Sequence, residues 1–459
     1  TWATVLFAEA LLARPDAARS DQTRPSPAAV PRLSWRRVAT IGGLLGLAVV
    51  CKGPIGIVGP LAVVLPWTWW MAVQRRIAAT DGSTGSARAW FAAAVPAAWD
   101  TIRTSRLGML IVATLAVAAP WYLAVSLRTD GEWLNGFFFI HNVGRFVAPM
   151  ERHGGSVLLH PLAMLVGFFP WSCFLPLAIT VTAWRIWKRA DPAARIDALG
   201  LALLWIVVWV GGFSASATKL PNYVLPAYPG AALLIAAAGV DAARRGTWSH
   251  PFWMGAGTVS LALGGVITAA AVVVAERFGL TDATPAALVG IVPIVGAVCL
   301  WHWRREPMRA VAALAVTGLV YTGLAVGPAA ARLAGANALP ALVQEAHRHA
   351  GGHARLGTFT QITPNVVYYA HGHVTAWQEP QREECLRFLA SGPDAVVLVR
   401  EDDFESLSSG LPEGVGVIGR SRPLFRDHDF LLVGTHATNT VRGPGPTAAI
   451  ERTLETTTR

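Results

Sequence analysis

Apolar residues run almost uninterrupted over about 38–51, 54–74, 107–127, 158–184, 198–216, 223–243, 251–275, 285–303 and 308–328. Most of these runs reach the roughly 20 residues that a helix needs to cross a hydrocarbon core. They predict nine membrane spans, and "TWATVLFAEALLA" at the start predicts a partial one. The pattern changes after residue 331. A helix-like stretch at 338–350 is followed by a strand-like 355–360, a helix-like 380–391, the strand "AVVLVR" at 395–400, and further strands near 415–420 and 428–434. Such alternation predicts a small, mostly parallel sheet carrying helices. The expected fold is therefore a polytopic α-helical membrane domain over 1–331, a small α/β domain over 332–436, and a disordered tail over 437–459, rich in Thr, Gly and Pro.

Composition agrees: 53% of the 459 residues are hydrophobic and 14% are charged, against about 25% charged in soluble domains. The formal charge of +10 is uneven, because the chain from Arg332 onward holds 12 Arg against 14 Asp and Glu. The positive excess thus belongs to the membrane part, where topology explains it better than nucleic acid does. One set of connections (14–37, 75–106, 185–197, 244–250, 304–309) carries 20 Lys and Arg, and the opposite set carries 6. Positive residues mark the cytoplasmic side. The expectation is an inner-membrane protein whose C-terminal domain is periplasmic. That domain has one cysteine, Cys385, and so can form no internal disulfide. The chain opens on Thr inside an apolar run too short to span, and is expected to be a fragment lacking its beginning.

No Asp, Glu, Lys or Arg stands in the interior of a span, which argues against an ion-coupled transporter. The unusual polar residues gather at outer span ends. Of three lysines, Lys52 precedes Gly53-Pro54, and Lys219 precedes Leu220-Pro221 and Tyr223. Both are expected in short outer turns broken by proline. A lysine there either snorkels to the headgroups or holds an anion, since its ammonium is a compact charge suited to phosphate. The outer loop "DGEWLNGFFFIHNVGRFVAPMERHGG", 130–155, is expected to form an interfacial helix from Glu132 with Trp133, Phe137, Phe139 and Ile140 on its apolar side. His141 and Arg145 are four apart and would share a face. His141, His153 and His160, with Glu151 and Cys51, are possible ligands for a divalent metal, although their spacing matches no standard zinc pattern. "HRHAGGH", 347–353, reads as a solvated helix end. Phosphate-binding loops, dinucleotide fingerprints and nucleophile elbows are absent.

The segments "GLAVVCKGPIGIVGP", "PWYLAV", "FFFIHNVGRF", "HPLAMLVGFFPWSCFLPLAI" and "SASATKLPNYVLPAYP" occur in an order that resembles bacterial type C glycosyltransferases. Nearest are the protein O-mannosyltransferase and lipid A aminoarabinose transferase group, and the resemblance covers about 36–245. It implies a polytopic enzyme moving a sugar from a polyprenyl-phosphate donor to a protein, lipid or glycan acceptor at the outer face, with inversion at the anomeric carbon. It also implies that Lys52 meets the lipid phosphate, and that His141, Arg145, Lys219 and Tyr223 line the same cavity. The family's general base is an acidic residue of the first outer loop, which would lie upstream of residue 1. The first outer carboxylate here is Asp130, in a different loop, so no catalytic base is assigned. A lipid-linked sugar transporter or a non-catalytic membrane scaffold are the alternatives.

Overall fold

A computed structural model describes residues 1–12, 32–79, 87–148, 154–276, 284–335, 338–360, 364–422 and 428–436. Its contacts form two units: residues 1–264 with 293–319, and residues 265–292 with 320–459. The expected tail and the candidate ligands Glu151 and His153 lie outside the described residues.

The first unit is helical. After α1 (Trp2–Leu12), α2 (Trp35–Lys52) starts at Ser34, whose Oγ accepts from the Arg37 N–H at 3.4 Å. It stops at Gly53, which has φ +73° and donates its N–H to the Val49 carbonyl at 2.7 Å. A side chain would disfavour that conformation, and a Cβ there would also stand 2.7 Å from the Phe137 ring. Then follow α3 (Ile55–Ala79), α4 (Ala87–Ser105) and α5 (Leu107–Arg128). α2 and α5 approach closely at small residues: a Cβ on Gly46 would lie 2.6 Å from Val117 Cβ. In lipid such close packing replaces the hydrophobic effect as the force between helices. Phe7, Ile41, Leu45, Trp67, Met71, Leu110 and Trp205 are among the residues of the buried centre. The Trp67 indole N–H donates to the Asp197 carbonyl at 2.8 Å.

Among the described residues seven helices are long and apolar enough to cross a membrane: Ile55–Ala79, Leu107–Arg128, Ala193–Ala215, Pro221–Arg244, Pro251–Ala275, Pro285–His302 and Pro307–Arg332. This is a multi-pass membrane protein. The expected single span 158–184 is instead a pair, Leu159–Gly167 and Trp171–Lys188, bent by 118°. Pro170 explains the break, since it has no N–H and disfavours helical backbone in the residue before it. The Ser172 hydroxyl donates to the Leu165 carbonyl at 2.5 Å across the bend. A Cβ at Gly167 would overlap the Tyr228 hydroxyl. The expected span 38–51 is helical as α2, but Arg36, Arg37 and Lys52 at its ends leave it outside the seven. Residues 87–105, expected only as part of the connection 75–106, form the helix α4.

On the arginine-rich side, Arg185 is almost fully buried and is bonded to both Asp191 and Asp241, and Arg195 also pairs with Asp241. The Arg185 hydrogen bond holds the Asp191 carboxyl below the usual range. These four charges tie three helices at their ends, where unpaired they would carry a large desolvation cost.

In the second unit the Thr268 and Tyr321 hydroxyls lie 3.1 Å apart. Its sheet has the order β2-β1-β3-β5-β4, with β1 (Arg355–Phe359), β2 (Val374–Trp377), β3 (Ala395–Arg400), β4 (Val415–Ser421) and β5 (Phe430–Thr435). The three strands β2, β1 and β3 are parallel, whereas β5 is antiparallel to both β3 and β4. The sheet is thus mixed, where a mostly parallel one was expected. Side chains alternate across β3. Val396 and Leu398 pack with Leu342 and Val343 of helix Ala338–His349, and Val397 and Val399 pack with Cys385 and Leu389 of helix Arg382–Ala390. Burial pushes the Cys385 thiol up to about 12.

Candidate lipid-phosphate site

The two lysine-proline turns lie in the first unit and meet at Tyr223. Gly53 ends α2 one residue after Lys52, and Pro54 prevents its continuation, so the Lys52 side chain is left on an exposed corner. Its ammonium stands 5.7 Å from the centroid of the Tyr223 ring. It has neither a hydrogen-bond nor an ion-pair partner among the described residues. A cation over an aromatic face is attracted to it while its own donors remain available.

Tyr223 is held from below. Its ring is parallel to the His160 imidazole, with centroids 6.3 Å apart and 5° between planes, and leans on Phe213 at 4.6 Å. His160 is fully buried. Its Nε2 lies 3.2 Å from the Leu220 carbonyl, which can only accept, so Nε2 carries the hydrogen. Nδ1 is buried without a hydrogen-bond partner among the described residues. The sequence placed His160 only among possible metal ligands. Its position next to Pro161 in "HPLAMLVGFFPW", one of the family-like segments, was the available signal.

Lys219 sits differently. It is 6% exposed, and its ammonium donates to the Ser214 carbonyl at 2.8 Å and the Ser216 carbonyl at 2.5 Å. These carbonyls belong to the end of helix Gly212–Ala215 and its cap, where the backbone lacks donors and a cation is favoured.

The outer loop docks on the same turn. The Thr218 N–H donates to the Arg145 carbonyl at 3.0 Å and the Ala217 N–H to the Phe146 carbonyl at 2.9 Å. The Thr218 hydroxyl reaches the Ala148 carbonyl at 3.1 Å. Arg145 is thereby fixed beside the Lys219 turn. The loop is helical from Glu132, as expected, but over Gly136–Gly144 it winds as a π-helix. The Asn142 side chain donates to the Phe137 carbonyl at 2.7 Å, a five-residue step suited to that winding. Its packed face also differs from expectation: Trp133, Leu134, Phe137 and Phe138 lie against Val49, Ala118 and Tyr122, and Phe139 and Ile140 are exposed. The Tyr122 hydroxyl donates to the Val49 carbonyl at 2.9 Å and joins this packing to the Lys52 turn.

The structure thus brings Lys52 to Tyr223, and Arg145 to the Lys219 turn. His141 is exposed and has no hydrogen-bond partner among the described residues. Nor, among those residues, do three His, Cys, Asp or Glu side chains gather as a metal site would require. Asp130 and Glu132 are both exposed.

No protein-family model matches the chain. Curated relatives do. An undecaprenyl phosphate-alpha-4-amino-4-deoxy-L-arabinose arabinosyl transferase of Pseudomonas aeruginosa is 28% identical over 290 residues, which are 61% of this chain and 45% of the relative. The protein of the same name from Aeromonas salmonicida is 29% identical over 201 residues, 44% of this chain and 30% of the relative. The one from Yersinia pestis is 31% identical over 134 residues, 29% and 23%. The matches therefore span less than half the length of these relatives. Among solved structures, the crystal structure of ArnT from Cupriavidus metallidurans bound to undecaprenyl phosphate superposes with a TM-score of 0.52 at 18% identity, covering 89% of this chain and 85% of that one. The apo ArnT structure gives 0.51. The chain has the ArnT fold and sequence kinship with the aminoarabinose transferases, which bears out its resemblance to bacterial type C glycosyltransferases.

Proposed function

We propose that the protein is a glycosyltransferase that takes a sugar from a polyprenyl-phosphate donor and passes it to a lipid, protein or glycan acceptor at the outer face of the inner membrane, the side on which its C-terminal domain also stands. The observation that carries this reading is the exposed Lys52 ammonium above Tyr223, without an ion-pair partner among the described residues, at the turn that leads into the membrane-crossing α3. The donor named for the relatives, an undecaprenyl phosphate carrying 4-amino-4-deoxy-L-arabinose, is the first to test.

The chemistry suits a cation in that position. When the acceptor hydroxyl attacks the anomeric carbon, the bond from that carbon to the phosphate oxygen breaks and the hydroxyl proton passes to water. The departing phosphate gains a second negative charge, which a positioned ammonium stabilises more strongly than the intact diester. Arg145 is able to fork onto two phosphate oxygens. Lys219, bound to its own backbone, serves the site by holding the turn that presents Tyr223.

The test is transfer from a labelled undecaprenyl-phosphate aminoarabinose by the purified protein in lipid, together with donor affinity for the wild type, Lys52→Ala and Lys52→Arg. The reading expects donor binding that depends on Lys52 and is restored only in part by arginine, whose planar fork has a different geometry. Equal affinities for all three proteins, within about twofold, would reduce Lys52 to an interfacial anchor.

A further inference from the structure

Helix α4 has two unlike faces. Ala93, Ala97, Thr101 and Thr104 are buried against the C-terminal half of α3. There the Trp69 indole N–H donates to the Ala94 carbonyl at 2.8 Å, the Trp69 and Trp90 rings meet edge-on at 5.5 Å, and Arg76 pairs with Asp100 at 2.6 Å. On the opposite face Phe91, Val95, Trp99 and Ile102 are 70%, 78%, 54% and 44% exposed. Their spacing of four, four and three residues makes one continuous apolar stripe. Yet α4 is not among the helices apolar enough to span a membrane.

Cations border the stripe. Arg88 and Arg103 are exposed, and the Arg103 guanidinium lies 4.8 Å over the Trp99 ring. At the corner between α4 and α5, Arg106 lies 4.2 Å over Trp35, beside the exposed Arg36 and Arg37. The one acidic residue of α4, Asp100, is already neutralised by Arg76. The stripe leads on to Met109, Ile111 and Val112, exposed at the start of the spanning helix α5.

We propose that the outer face of α4 is an interfacial anchor selective for anionic phospholipids. Phe91, Val95, Trp99 and Ile102 enter the acyl boundary, and Arg88, Arg103 and Arg106 take lipid phosphates. An amphipathic helix with an aromatic-aliphatic face and arginine flanks is the form that lies in such an interface, and each arginine near an anionic surface adds attraction. A second copy of the chain fits less well. A two-fold contact through this stripe would set Arg88 and Arg103 near their own counterparts.

The experiment is hydrogen exchange of α4 in the full chain, reconstituted in nanodiscs of phosphatidylglycerol and, separately, of phosphatidylcholine. The α4 amides should exchange about tenfold more slowly in phosphatidylglycerol. The triple variant Arg88→Gln, Arg103→Gln, Arg106→Gln should lose that difference while α5 exchanges as in the wild type. Phe91→Ser with Val95→Ser should raise α4 exchange in both lipids. Equal α4 exchange of the wild type in the two lipids overturns the proposal, and this comparison needs no variant to fold. Lipid-independent protection with cross-links between α4 helices would assign the stripe to a second copy instead.

Discussion

The turn after α2 and the turn at 216–223 look alike as sequence: a lysine, one residue, a proline, and the same expected side of the membrane. Folded, they differ in where the charge goes. Lys52 ends a helix whose cap, Gly53, donates its N–H to the Val49 carbonyl, and among the described residues its ammonium meets the Tyr223 ring and no backbone carbonyl. Lys219 follows a helix whose cap, Ser216, likewise donates its N–H to the Phe213 carbonyl, but its ammonium folds back onto the Ser214 and Ser216 carbonyls. Two turns of the same pattern therefore leave one ammonium over an aromatic ring and fold the other onto the backbone.

This contrast can be broken at several points. The largest effect belongs to Lys219→Met, which leaves two carbonyls short of a donor. Bonds to a charged donor contribute about 1.5–3 kcal/mol each, so a loss of about 3 kcal/mol should appear as a lower unfolding midpoint in detergent or lipid. Lys52→Ala in the same assay should stay within about 0.5 kcal/mol of wild type, as surface changes do. If Lys219→Met melts like the wild type, the two turns are equivalent and the distinction fails.

Next in size, Lys52→Ala should weaken donor binding by about ten- to a hundredfold, the equivalent of one charge-assisted hydrogen bond. Titration with undecaprenyl phosphate reads it directly. Gly53→Ala tests the turn itself. With φ at +73° and Phe137 in the way, it should cost about 1–3 kcal/mol, and a thermal melt unchanged from wild type would show that the turn yields easily. The smallest effect sharpens the picture of access. A membrane-impermeant maleimide should label Cys51, exposed beside Lys52, and spare Cys385, which is buried with its thiol pushed up to about 12. Labelling of Cys51 only from the cytoplasmic side would contradict the orientation proposed from the arginine distribution.

Much of the fold was legible because lipid imposes a simple code. The run at 107–127 became Leu107–Arg128, and 251–275 became Pro251–Glu276, since each is long, apolar and flanked by polar residues. In the C-terminal sheet the strand "AVVLVR" was placed to the residue, being β-branched and buried on both sides. Failures came where helical sequence was not uniformly apolar. α4 mixes alanines with an arginine-flanked aromatic stripe, and only its packing on α3 shows it to be a structured helix. β2 and the helices Pro364–Ala370 and Glu401–Ser408, four, seven and eight residues long, are too short for a periodic pattern to announce them. At the site, the motif residues mark the two turns that the structure brings together at Tyr223. Nothing in the sequence said that Lys219 would be consumed by Ser214 and Ser216, because that depends on where a helix runs out of partners. The buried role of His160 was hidden for a related reason: its stacking partner is 63 positions away.

The bend between Leu159–Gly167 and Trp171–Lys188 has a mechanical consequence. Its short arm is gripped at both ends by one segment. Tyr223 stacks on His160 near the arm's start, and Tyr228 abuts Gly167 at its finish, where any side chain would collide. With the Ser172 hydroxyl closing the elbow, the arm has no free pivot, and the aromatic floor under Lys52 behaves as an anvil. On the proposed reading, the adjustment that admits a lipid phosphate comes from the opposing jaw, the turn at Gly53, where a tyrosine hydroxyl bonds the Val49 carbonyl and a phenylalanine ring packs close.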